Sequence, residues 1–75
     1  MNMNQKVALI EFLVMYYHNV HSISTFTLDF LDKHSKIIEE YIFKPFTIGG
    51  LEAINSAWIE RIAMQYQAER NAYLI

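Results

Sequence analysis

Three histidines offer the first chemistry to weigh in this 75-residue chain. His18 and His21 stand three apart, about 60° from one another on a helix, near enough to touch one divalent ion. A third ligand is missing. Glu11 shares the side of His18 but lies seven residues away, roughly 10.5 Å along the axis, and the chain has no cysteine. Zinc sites need three or four protein ligands, so no metal is expected, and the pair reads as residues favoured near the negative end of a helix dipole. His34 is different, because Phe30, Leu31, Ile37 and Ile38 surround it on one helical face. It reads either as a base with a shifted pKa or as a core or interface histidine whose nitrogens find a carbonyl or side chain. No nucleophile in a recognisable setting accompanies it, so the second reading is preferred, and leucine is expected to replace it without loss of stability.

Other catalytic constellations are missing too. Ser22, Ser24, Ser35 and Ser56 lack the turn context that exposes a nucleophile. Gly49-Gly50 has neither a preceding strand nor a following lysine, so it reads as a hinge rather than a phosphate cradle. No enzyme activity and no cofactor are expected.

Charge narrows the field further. Eight acids against six bases give a net charge of −2, too little acid to mimic DNA and too little base to grip it. In the third segment Arg61 and Arg70 lie about 180° apart around the helix, so one face cannot track phosphates. The longest apolar run, Val7 to Tyr17, is eleven residues broken by Glu11, against about 20 for a membrane span. Tyr16-Tyr17-His18-Asn19 offers no small-residue cleavage site. A soluble, cytoplasmic chain is expected, with neither nucleic acid nor membrane as partner.

The elements that must position these residues are helical. Apolar residues recur with a spacing near 3.6 in three segments, about 4–21, 25–44 and 50–73. A single domain, 1–75, is expected: an all-α, three-helix antiparallel bundle completed by oligomerisation. The first segment carries apolar residues over roughly 220° of its wheel, against a little over 100° for an ordinary one-sided helix. In the second, Asp29–Lys33, Asp32–Lys36 and Glu40–Lys44 stand as i,i+4 pairs on the face opposite the apolar stripe. Ser24, Thr25 and Thr27 are candidate N-caps, and Pro45 is expected to end that helix. The third segment stripes Leu51, Ile54, Trp58, Ile59, Ile62, Tyr66 and Tyr73, with Asn55, Gln65 and Glu69 intruding. Glu69 reads as the stripe running off the domain's edge. Asn55 reads equally as that or as a register-fixing polar contact at an interface.

Hydrophobic residues make up 53% of the chain and aromatics 15%, more than such a bundle is expected to enclose. Phe12, Tyr16, Tyr17, Phe26, Phe43, Phe46 and Tyr73 are the surplus. Aromatics with polar tips suit interfaces, because they bury large area at low entropic cost. The expected interface comprises Phe12, Tyr16, Tyr17, Ile10, Val14, His34, Asn55, Phe43, Phe46 and Tyr73. Its partner is another protein: a second copy, most simply in a dimer through the first helix, or a heterologous one. A small stoichiometric binder fits these features, of the kind phages and mobile elements encode to inhibit or modulate a host or defence protein. The alternatives are a virion structural or assembly factor and a small DNA-binding transcriptional regulator.

Overall fold

Asn2 opens the first helix through a reciprocal cap: Gln5 N–H donates to Asn2 Oδ1 at 2.8 Å and Asn2 N–H to Gln5 Oε1 at 2.9 Å. The computed structural model describes residues 1–17 and 24–74, and all the regular structure within them is helical. In order these are α1 (Met3–Tyr17), α2 (Ser24–Lys33), α3 (Ser35–Ile38), a π-helical turn (Glu39–Phe43), α4 (Lys44–Gly49), a 3₁₀ turn (Leu51–Ala53) and α5 (Ser56–Leu74). No helix among the described residues is long and apolar enough to cross a membrane.

α1 packs against both α2 and α5, which explains its wide apolar arc. Leu9, Ile10, Leu13 and Val14 are buried between its two neighbours, with Phe30, Ile38, Ile42, Ile62 and Tyr66 completing the centre of the core. The Cα radius of gyration is 11.5 Å, against about 11 Å expected for a folded domain of this length. The aromatic surplus is smaller than the composition suggests. Phe26 and Phe43 are core residues, and Ile10, Val14 and Phe43 leave the expected interface for the same reason.

The segment expected at 25–44 differs most from expectation. Its axis is interrupted at His34, whose backbone sits at φ −111°, ψ 24°. The hydrogen bonds His34 N–H to Phe30 C=O and Ile38 N–H to His34 C=O nevertheless carry the helix across the break. Nor does Pro45 end it, for α4 continues to Gly49. A proline inside an α-helix removes one hydrogen bond and drives its ring into the carbonyl four residues back. Here the preceding turn is wound to i+5 spacing, Lys44 N–H bonding Glu39 C=O, and that wider turn makes room for the ring. The helix stops instead at Gly50, whose φ of 74° and ψ of −159° suit only glycine.

α5 begins six residues later than the expected start at 50. Leu51 to Ala53 form the 3₁₀ turn, and Asn55 caps α5, its Oδ1 accepting from Ala57 N–H at 2.9 Å. Asn55 is thus a cap and not an intrusion on a helical stripe. Thr27 is not a cap either. It is wholly buried, and its Oγ1 lies 2.9 Å from Tyr66 Oη and 3.4 Å from Glu11 Oε2. A carboxylate oxygen can only accept, so Thr27 donates to Glu11 and Tyr66 donates to Thr27. This buried chain ties α1, α2 and α5 into one register.

Candidate functional site

The His34 side chain is the meeting point of α2, α3 and α5. Its Nε2 lies 2.6 Å from Glu69 Oε2, and its ring rests on Phe30 with centroids 4.7 Å apart. Gln65 Nε2 donates to the same carboxylate oxygen at 2.8 Å, and Lys33 Nζ reaches Oε1 at 3.4 Å. Burial pushes the Glu69 carboxyl up, but the hydrogen bonds from Gln65 and His34, the attraction of His34 and the bond from Lys33 outweigh it and hold the group below its ordinary value. The carboxylate accepts, so Nε2 carries the hydrogen. Glu69 is therefore no edge residue: it is what the α2–α3 break is pinned to. Lys33 serves this cluster rather than the expected local pair with Asp29, whereas Glu40–Lys44 forms as expected at 3.0 Å. The pairing also changes the expectation for His34→Leu, which would strip a donor from a half-buried charge.

Around this cluster lies an open cleft of about 410 Å³, bordered by Phe26, Phe30, Lys33, Glu69 and Tyr73. Tyr73 stays 56% exposed at its rim. A second hollow, of about 520 Å³, runs between α1 and α4 and is lined by Met1, Gln5, Ala8, Leu9, Phe12 and Phe46. None of those side chains is ionisable, and Phe12 is 54% exposed. Phe12 and Phe46, two of the expected interface residues, both border it. Tyr16 and Tyr17 close α1 with side chains outside the described residues, as are His18 and His21. Among the described residues no group of three or more metal-ligating side chains comes together.

A third surface was not visible in the sequence. Tyr41 and Trp58 stack face to face, centroids 3.9 Å apart and planes 7° from parallel. Arg61 lies over the same indole at 5.0 Å, a favourable cation–π arrangement. Trp58 is anchored against the core while Tyr41 remains 42% and neighbouring Ile37 44% exposed. Among the described residues no carboxylate is paired with Arg61. Periodicity puts Tyr41 and Trp58 on apolar stripes and so hides them in an expected core. The usable signal was their chemistry: Trp, Tyr and Arg are the residue types that dominate binding energy at protein interfaces.

The chain matches no family model, no curated protein and no solved structure.

Proposed function

We propose that this chain is a non-enzymatic binding module that acts by stoichiometric association with another protein, through the surface formed by Ile37, Tyr41, Trp58 and Arg61. The observation that supports it most is the stacked Tyr41–Trp58–Arg61 column, of which Tyr41 and Arg61 are exposed. Side chains already held in one arrangement lose little entropy on binding, at about 0.5–1.5 kcal/mol saved per ordered side chain. The free Arg61 guanidinium favours a partner with an apolar centre and an acidic rim. Inhibition or modulation of the bound protein is the activity this implies, and nothing in it requires a cofactor.

The test compares Tyr41→Ala and Arg61→Ala with the parent chain in isothermal titration against the protein that co-purifies with it from its own cells. Each change is expected to weaken a one-to-one complex about tenfold, with the helical signal in circular dichroism retained. Unchanged affinity in both variants would move the binding surface elsewhere.

A further inference from the structure

The cleft between α2 and α5 joins aromatic rings to an unpaired charge. Its volume of about 410 Å³ falls in the range of small-ligand sites, about 300–1,000 Å³. Phe26 and Phe30 border it as buried rings, and Tyr73 stands at its rim. The rings of Phe26 and Tyr73 lie 5.2 Å apart and are tilted by 51°. They form an open corner, whereas Tyr41 and Trp58 are stacked too closely to admit anything between them.

Charge decides what fits that corner. Asp29, Lys33 and Glu69 are the charged side chains that line the cleft. Lys33 is drawn to Glu69 at 3.4 Å and leaves Asp29, its expected partner, with no cation among the described residues. Lys33 and Glu69 offset one another, so Asp29 is the charge left over, at an exposed position beside the rings. A carboxylate next to aromatic rings attracts cations, through Coulomb attraction and the ring quadrupole together. Hydrogen bonding narrows the class. Glu69 Oε2 already accepts from His34 and Gln65, and Oε1 from Lys33. A primary ammonium carries three donors and finds only Asp29 free among the lining carboxylates. A fully methylated ammonium has no donor to satisfy, and its methyl groups suit the apolar surface of the rings. We propose that this cleft binds a methylated ammonium group, its methyls against Phe26 and Tyr73 and its charge offset by Asp29. The site shares no residue with the Tyr41–Trp58–Arg61 surface and does not rest on it.

Amide HSQC spectra of the isotope-labelled chain, titrated with choline at constant ionic strength, read the site directly. Saturable shifts are expected at the amides of Phe26, Asp29 and Tyr73, with a dissociation constant on the order of 1 mM for so small a ligand. Dimethylbutanol, the uncharged isostere of choline, is expected to bind at least about fivefold more weakly. Asp29→Asn and Tyr73→Ala, both at exposed positions, are each expected to weaken choline binding about threefold to fivefold with unchanged circular dichroism. Acetyl-trimethyllysine amide carries the same head group on a peptide unit. Tighter binding than choline assigns the cleft to a methylated side chain, and weaker but saturable binding to a free small molecule; either supports the site. No saturable shift by about 50 mM choline, an alcohol that binds as well as the cation, or affinity indifferent to both substitutions overturns the proposal. None of these results touches Tyr41 or Arg61, so the protein-binding surface stands or falls separately.

Discussion

Glu69 shows how much a single polar side chain on an apolar stripe can hold. Its carboxylate gathers His34, Gln65 and Lys33 from two sides of the α2–α5 contact. Hydrogen bonds to a charged group contribute about 1.5–3 kcal/mol, and two other donors remain when one is lost. His34→Leu is therefore expected to cost about 1–2 kcal/mol in urea denaturation, not to be neutral as the sequence suggests. Folding lowers the Glu69 pKa, so the unfolded chain takes up that proton more readily. The stabilisation is complete above the ordinary carboxylate value and is lost as pH falls below it, through the lowered value of the folded chain. Melting curves should accordingly show Glu69→Gln less stable than the parent chain near neutral pH, with the difference closing in acid. Thr27 is a second case. Thr27→Val removes the acceptor of the buried Tyr66 hydroxyl and is expected to cost about 1–3 kcal/mol. Adding Tyr66→Phe should then cost less than it does alone, because the unpaired hydroxyl goes with it. The sequence could not reveal these pairs. His34 and Glu69 are 35 residues apart and Thr27 and Tyr66 are 39, and local periodicity carries no information about such distances.

Helical content along the chain was legible at the scale of elements, because every segment repeats its apolar residues near 3.6. Boundaries were less so wherever one residue type has two uses. Pro45 signals a helix end unless the turn before it widens, and the widening at Glu39–Phe43 has no compositional mark. Asn55 falls on the apolar stripe only if the helix has already begun, and it is in fact the residue that begins it. Asn55→Ala is expected to lower stability by about 1 kcal/mol. Gly50 was correctly a break, and its backbone explains why: a Cβ there meets nothing within 4 Å, but φ is 74°. Gly50→Ala should cost about 1–3 kcal/mol through backbone strain alone, read from the shift of the urea midpoint at unchanged slope. Gly49→Ala fails for the other reason, since its new methyl would sit 2.9 Å from Ala53 Cβ.

For the whole molecule, the excess of apolar side chains resolves into two separate surfaces. One is the hollow between α1 and α4, bordered by Phe12 and Phe46. The other is the Tyr41–Trp58–Arg61 column, hidden in the sequence because periodicity tells which side of a helix is apolar but not how far a neighbour extends to cover it. Photo-cross-linking tests the central claim most directly: a benzoylphenylalanine placed at Tyr41, irradiated in cells that make the protein, with the same probe at exposed Glu52 as reference. A single adduct whose mass equals one chain plus one partner polypeptide, diminished by Arg61→Ala, is the expected result. A Tyr41 probe that captures nothing, or the same scatter of products as Glu52, would contradict it.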